Sequence, residues 1–186
     1  MPFSISGVGA DLRALRRSRG TTLAALAAGL DRSVGWLSQV ERGLSEPSID
    51  DLRRIARAFD VPLGFFFRND DAPERERGHI VRAAHRRSLG NPVAGLTEEL
   101  LSPDIGGAFE TLRSTFAPGA ALATAQRRET EEAGYVVSGI LDLWIGERHF
   151  HLGAGDSFRF KDEPYRWSNT GTEAAVVIWT IAPPVY

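Results

Sequence analysis

The sequence of 186 residues contains no cysteine, a single lysine and no apolar run long enough to cross a membrane. Without cysteine the protein forms no disulfides and has no thiolate chemistry, which suits a reducing compartment. A transmembrane helix needs about eighteen or more consecutive apolar residues. The opening Met1-Pro2-Phe3 also lacks the pattern of a signal peptide. We therefore expect a cytoplasmic protein with no membrane partner.

The composition, with 42% hydrophobic and 25% charged residues, is that of a globular protein. The formal net charge of −2 is unevenly distributed along the chain. Residues 1–68 hold ten Arg against seven acidic residues (+3), residues 69–78 hold two against four (−2), and residues 79–186 hold ten basic against thirteen acidic residues (−3). A mildly basic part joined to an acidic part suits a DNA-binding domain attached to a domain that does not bind DNA.

The stretch 22–42, TLAALAAGLDRSVGWLSQVER, predicts two short helices joined by a tight turn. Thr21 or Thr22 caps the first helix, and Ser33 caps the second. Between them, Gly29-Leu30-Asp31 supplies a residue that is free to adopt a positive φ. This arrangement is typical of a helix-turn-helix, although an ordinary α-hairpin has the same pattern.

The second of these helices has two different faces. Leu37 and Val40 lie three residues apart and face the first helix. The other face carries small or hydrogen-bonding groups, which suit an approach to base edges in a major groove. We predict DNA contacts from this helix and its flanks, namely Thr22, Arg32, Ser33, Val34, Gly35, Trp36, Ser38, Gln39 and Arg42. Within this set, Gln39 is suited to pairing with adenine, and the two arginines are better placed for phosphates than for bases. Trp36 either lies along a sugar-phosphate strand or packs against a neighbouring helix.

The following segment, LSQVERGLSEPSIDDLRRIARAFDVP, resembles closely the helix-turn-helix of phage repressors and of the xenobiotic-response-element family of bacterial regulators. The matching residues are Leu37, Ser38, Val40, Glu41, Arg42, Gly43, Pro47, Leu52, Ala56 and Val61-Pro62. The resemblance covers roughly residues 8–66 and implies a five-helix bundle, whose last helix we expect to begin at Pro62. In these repressors an arginine at the position of Arg16 pairs with the acid at the position of Glu41, which ties the first helix to the recognition helix.

A charged segment without apolar periodicity, residues 68–78, predicts a linker. We therefore expect a DNA-binding domain over residues 1–67 and a second domain over residues 79–186. The second part contains short segments rich in β-branched and aromatic residues, separated by turn residues. Such a pattern predicts an antiparallel sandwich or barrel.

Four segments of this second part resemble the cupin family: PGA at 118–120, EEAGYVVSG at 131–139, GAGDSFRF at 153–160 and PYRWSN at 164–169. The resemblance spans roughly residues 108–183 and implies an antiparallel β-barrel, the cupin or double-stranded β-helix. Together the two resemblances imply a two-domain α + β protein, with a helical head followed by this barrel.

Cupin enzymes hold a metal with three His and one Glu, but this sequence lacks the histidines. Aligning the first cupin motif on Gly119 places Ala125 and Arg127 at two His positions and Glu132 at the Glu position. Tyr165 stands at the third His position. Since a guanidinium cannot ligate a metal and one carboxylate is not a site, we predict neither metal nor cofactor. His149-Phe150-His151 lies on a different strand, and we expect Phe150 and Leu152 to face inward and both histidines to face outward.

The mouth of the expected barrel is polar and aromatic. The candidate effector-binding residues are Arg127, Glu132, Tyr135, Arg159, Tyr165 and Trp167. Arginine and aromatic groups in a concave site suit a small anionic or amphipathic ligand. Structural roles for the tryptophans are an open alternative.

The resemblances imply a homodimeric bacterial transcriptional regulator that binds double-stranded operator DNA and whose barrel senses a small metabolite. One alternative is an enzyme, because some helix-turn-helix–cupin proteins are metal-dependent oxygenases, such as hydroxypropylphosphonate epoxidase. The missing metal ligands argue against catalysis. A second alternative is an interaction module such as an antitoxin, which the cupin part disfavours.

Overall fold

The computed structural model describes residues 7–61, 63–66, 73–76, 78–89, 93–103, 105 and 107–185. The chain forms two units. The first contains residues 1–88, 102–107 and 185–186, and the second contains residues 89–101 and 108–184. Much of the predicted linker, 68–78, lies outside the described residues.

The described part of the first unit contains four α-helices: α1 (Val8–Ser18), α2 (Leu23–Gly29), α3 (Val34–Glu41) and α4 (Ile49–Phe59). Their inward faces follow the apolar periodicity of the sequence, with Leu12, Leu15, Leu37 and Leu52 fully buried. None of the helices in the described residues is long and apolar enough to cross a membrane.

The fifth helix expected from the family resemblance is replaced by a single 3₁₀ turn, Leu63–Phe66, among the described residues. Pro62, predicted to begin that helix, lies outside the described residues. Phe65 and Phe66 are both fully buried, with their rings 5.4 Å apart and nearly perpendicular. Aromatic side chains bury a large apolar area each, so most of the area that this segment buries comes from these two residues. A short turn is therefore sufficient to place them in the core.

Capping side chains fix where α2, α3 and α4 begin. The side chain of Thr22 accepts a hydrogen bond from the Ala25 N–H at the start of α2, at 3.1 Å. Ser48 and Asp51 form a capping box at the start of α4. The positive φ expected within Gly29-Leu30-Asp31 falls on Asp31, at 54°, while Gly29 remains in the helix. Aspartate adopts this left-handed conformation more readily than most non-glycine residues.

Two antiparallel sheets are formed by the described strands. Their order is β1-β2-β3-β9-β4-β7 in the larger sheet and β6-β5-β8 in the smaller. The strands are β1 (Arg87–Leu89), β2 (Leu96–Leu100), β3 (Glu110–Phe116), β4 (Glu131–Ser138), β5 (Ile140–Ile145), β6 (Arg148–Gly153), β7 (Ser157–Lys161), β8 (Tyr165–Ser168) and β9 (Ala175–Ala182).

The two sheets do not close into the single barrel that the resemblance implied, at least over the described residues. The segment GYVVSGILDLWI illustrates the reason. It splits at Gly139 into β4 of the larger sheet and β5 of the smaller sheet. Gly139 has a φ of 76°, and a Cβ there would lie 2.7 Å from the Ala175 Cα, so only glycine permits the chain to change sheets at this point.

Candidate nucleic-acid interface and ligand site

The helix α3 presents a buried face and an exposed face in the first unit. Leu37 and Val40 are buried, as the spacing predicts. Val34 is 47% exposed, and Gly35 and Gln39 are also exposed. The exposed groups are therefore an apolar side chain, a bare backbone and a carboxamide, the chemistry that contacts thymine methyls and adenine edges.

The flanks of α3 are also organised by hydrogen bonds. Ser33 accepts a bond from the Trp36 N–H at 3.1 Å and so begins the helix. At the other end, Arg42 is exposed, and its Nε donates to the Ser38 carbonyl at 3.2 Å. Ser38 itself is half-buried. Arg42 therefore lies at the C-terminal end of the helix and is accessible to solvent.

Arg32, one of the two arginines predicted to contact phosphate, is paired within the unit. Its Nε and Nη2 both donate to Oδ1 of Asp51, at 2.9 and 2.7 Å. Its guanidinium carbon also lies 5.2 Å from the centroid of the half-buried Trp36 ring. Burial opposes the ionisation of Asp51, but hydrogen bonds from Ser48 and Arg32 outweigh it, and the pKa of Asp51 is lowered. Arg32 thus joins the turn before α3 to the start of α4.

We expect Arg32→Ala to weaken DNA binding without changing its salt dependence. The carboxylate of Asp51 already neutralises the guanidinium, so removing Arg32 would disturb the placement of α3 rather than a phosphate contact. The measurement is the slope of log K against log salt concentration for the wild type and the variant. A slope smaller in magnitude by about one would instead assign Arg32 to a phosphate.

Arg16 and Glu41 form the ion pair that the resemblance implied. Nε and Nη2 of Arg16 donate to the two carboxylate oxygens of Glu41, at 2.6 and 2.9 Å. The side chains are only 13% and 6% exposed. Nη1 of Arg16 also donates to the Thr21 carbonyl at 2.9 Å. A bidentate, partly buried ion pair therefore connects the recognition helix to α1.

A close approach between the backbones of α1 and α3 was not predicted from the sequence. Gly9 of α1 lies so close to α3 that an added Cβ would be 2.0 Å from the Val40 carbonyl oxygen. Only a residue without a side chain permits this approach. The apolar periodicity of this segment does not identify Gly9, because a glycine has no side chain that would mark a contact with another backbone.

The structure separates the six candidate effector residues of the second unit into two groups. Glu132, Tyr165 and Trp167 are buried. Arg127, Tyr135 and Arg159 are exposed. Strand alternation explains this division on β4, because Glu132 and Tyr135 are an odd number of residues apart and so face opposite sides of the sheet. Arg159 pairs with Ala133 in the register and faces outward with it.

The exposed arginines have partners at the surface. Nε of Arg127 donates to the Asp162 carbonyl at 2.9 Å. Arg159 lies 3.4 Å from the Glu131 carboxylate. Neither arrangement brings a guanidinium to the interior.

Glu132 occupies the centre of the buried polar group. Its two oxygens accept hydrogen bonds from the Thr130 hydroxyl at 2.9 Å and from the Trp179 indole N–H at 2.8 Å. Burial raises the pKa of Glu132, although Thr130 and the charge of Arg128 oppose the rise. Burial likewise raises the pKa of Tyr165.

These residues do not fit the metal site of cupin enzymes. Ala125 and Arg127 cannot ligate a metal and the Tyr165 hydroxyl stays protonated, which leaves the single carboxylate of Glu132 at these four positions. No group of three or more His, Cys, Asp or Glu side chains in the described part of the chain is arranged to hold a metal ion.

His149 and His151 are exposed, as expected, but they have a common partner that was not predicted. His149 Nε2 and His151 Nδ1 lie 2.8 and 2.9 Å from Oδ1 of Asp142. Thr170 donates to the other oxygen of the same carboxylate. Burial opposes ionisation of Asp142, yet these hydrogen bonds outweigh it and lower its pKa. Phe150, expected to face inward, is 38% exposed.

An exposed recognition helix attached to a small bundle, followed by two sheets around a polar interior, defines a helix-turn-helix protein with a cupin domain. Comparison with known families agrees. The helix-turn-helix domain family matches residues 8–64. The cupin domain family matches residues 112–181.

Two relatives are named as transcriptional regulators. The HTH-type transcriptional regulator PuuR of Escherichia coli is 25% identical over 184 residues, covering 96% of both chains. The transcriptional regulator ClgR of Mycobacterium tuberculosis is 34% identical over 99 residues, which are 52% of this chain and 87% of ClgR. A solved HTH_3 family transcriptional regulator from Vibrio cholerae is 25% identical, covers 97% of both chains and superposes with a TM-score of 0.45. The chain belongs to the helix-turn-helix transcriptional regulators and is a DNA-binding regulator with a C-terminal cupin domain.

Proposed function

We propose that α3 enters the major groove of an operator and reads its sequence through Gln39 and Val34. The observation that carries this assignment is the exposure of Val34, Gly35 and Gln39 on one face of a helix whose opposite face is buried. Gln39 makes a bidentate pair with adenine, and Val34 contacts a thymine methyl. Gly35 permits close approach, since only the Ser33 hydroxyl would come within 4 Å of a Cβ there.

The remaining polar groups around α3 position the protein on the duplex. Ser33 and the N-terminal N–H groups of α3 lie near a phosphate, where the helix dipole favours an anion. Thr22 caps the start of α2 as Ser33 caps α3, and it contacts the sugar-phosphate backbone of the DNA. Arg42, exposed at the other end, donates to a phosphate. Trp36 and Ser38, both half-buried, hold the reading face in place more than they contact bases.

We expect Gln39→Ala and Arg42→Ala to weaken operator binding in different ways. Gln39→Ala should cost roughly 1–3 kcal/mol and relax the preference at one base pair. Arg42→Ala should weaken binding to all sequences alike and reduce the salt slope by about one. Equilibrium binding of a set of single-base operator variants at several salt concentrations separates the two. If Arg42→Ala altered sequence preference while Gln39→Ala did not, the reading face would be wrongly assigned.

The protein acts as a homodimer in this proposal. The outer face of the larger sheet exposes Tyr135 and Val137, 50% and 48% of their surface, on β4. Tyr135 pairs across the strands with Ile178 of β9. An exposed apolar patch on a sheet is typical of a protein interface. A dimer would place two recognition helices on half-sites about one helical turn apart.

In this proposal the two domains predicted from the sequence have different functions. Residues 1–67 bind the operator, and residues 79–186 bind a small metabolite whose presence changes operator affinity. Relatives named as regulators favour this function over catalysis. The support for a ligand site is the buried polar group around Glu132, because polar side chains are retained in an apolar interior mainly where they bind something or complete a hydrogen-bond network.

A further inference from the structure

The interior of the second unit does not contain the two arginines on which the expected ligand depended. The expectation of an anionic or amphipathic ligand depended on Arg127 and Arg159, and both lie at the surface. The interior instead contains the carboxylate of Glu132, which is 1% exposed. Glu98 of β2 lies close enough for its charge to act on both Glu132 and Tyr165.

The strand register places these groups on one face of the larger sheet. Glu98 pairs with Ser114 of β3, and the Ser114 hydroxyl donates to the Glu98 carboxylate at 3.1 Å. Ser114 pairs in turn with Val177 of β9. Trp179 lies two residues further along β9, on the same face, and donates to Glu132. The two carboxylates therefore face the same interior.

Aromatic rings surround the indole that contacts Glu132. The Trp179 ring centroid lies 4.8 Å from that of Phe158, 6.0 Å from Tyr165 and 6.4 Å from Phe160. The faces of aromatic rings attract cations, and the attraction is larger where water is excluded.

A second, independent observation comes from Tyr165. The residue is only 5% exposed, and its hydroxyl has no hydrogen-bond partner among the described residues. A hydroxyl without a protein partner is available to donate to, or accept from, a bound ligand. The charges of Arg128, Glu132 and Glu98 all act on this hydroxyl, which places it in the same polar interior.

We propose that Glu132, Tyr165 and Trp179 form the binding site for a small organic cation, a protonated amine. This inference rests on the proposed sensing function of the second unit. The ammonium group donates to Glu132, which keeps a lone pair on each oxygen, and to the Tyr165 hydroxyl. The apolar part of the ligand packs against the aromatic rings, and Glu98 adds a second negative charge.

Arg128, whose charge also acts on Glu132, would favour an anion instead. It is half-buried, and its Nη2 lies 3.4 Å from the Gln126 side-chain oxygen. An anionic ligand would pair with Arg128, and a cationic one would pair with Glu132. Substitutions at these two positions therefore give opposite results for the two classes of ligand.

The test uses three probes of matched size on the full-length protein: propylamine, propanol and propionate. Binding is followed through the ¹⁵N–¹H signal of the Trp179 indole, which reports on the hydrogen bond to Glu132. We expect propylamine to shift this signal saturably and to raise the melting temperature, while propanol and propionate do neither. Glu132→Gln should weaken propylamine at least about tenfold, because the bond to a charged group is lost. Arg128→Gln should leave propylamine binding unchanged or stronger.

Tyr165→Phe keeps the ring and provides a second variant if Glu132→Gln does not fold; it should weaken propylamine about two- to tenfold. The proposal is overturned if propionate or propanol binds as well as propylamine, if propylamine produces no saturable shift, or if both variants bind it like the wild type. A separate measurement of operator affinity with saturating propylamine tests whether ligand binding at this site also changes DNA binding. Binding at this site without any change in operator affinity would support the site and contradict its sensing role.

Discussion

Replacing Glu41 with alanine is expected to lower the free energy of unfolding by about 3 kcal/mol, the lower end of the range for breaking a buried ion pair. The variant leaves the Arg16 guanidinium only partly exposed and without its carboxylate partner. The remaining hydrogen bond from Arg16 to the Thr21 carbonyl reduces the penalty, which places the effect near 3 rather than 5 kcal/mol. Urea denaturation of the full-length protein measures it.

The double variant Arg16→Ala/Glu41→Ala is the matched control. It should be less destabilised than Glu41→Ala alone, because no unpaired charge remains next to α3. A surface pair would be worth at most about 1 kcal/mol. If Glu41→Ala and the double variant were equally mild, within that range, the pair would not attach α1 to the recognition helix.

Gly9→Ala is also expected to be strongly destabilising, by about 3 kcal/mol, and to weaken operator binding. The new Cβ would lie 2.0 Å from the Val40 carbonyl oxygen and 3.2 Å from the Glu41 carbonyl carbon. Both atoms belong to the backbone, so no side-chain rotation relieves the contact and the recognition helix has to move. In a helix without such a contact, alanine would instead be favoured by up to about 1 kcal/mol.

Gly29→Ala provides that comparison within the same unit. Gly29 is also helical, and nothing lies within 4 Å of a Cβ built there. We expect this variant to be as stable as the wild type or slightly more stable. Equal stability of the Gly9 and Gly29 variants, together with unchanged operator affinity, would show that α1 and α3 are not held at the distance described.

The parts of the fold set by neighbouring residues were predictable from sequence. The Ser33 cap of α3 and the capping box of Ser48 and Asp51 depend on groups three residues apart, and both are present. The periodicity of Leu37 and Val40 identified the buried face of α3 in the same way. Local hydrogen bonds and side-chain periodicity can be recognised from the spacing of residues in the sequence.

Features that depend on distant partners were not predictable. Arg32 bonds to Asp51, nineteen positions away, and nothing near Arg32 indicates that carboxylate. Alternation on β4 separates Glu132 from Tyr135, but it does not indicate which of them faces the interior. Glu98 lies in β2, a strand that no pattern marked, so the second carboxylate of the interior was missed.

Selection of binding sites from a pool of random double-stranded DNA by the full-length protein tests most directly whether α3 reads sequence. We expect two related half-sites to be enriched, with centres about 10 base pairs apart. The selected DNA should bind at least about a thousandfold more tightly than unrelated DNA at the same salt concentration. A pool that remains random after selection, or tight binding that is the same for selected and unrelated DNA, would contradict sequence-specific recognition by this helix.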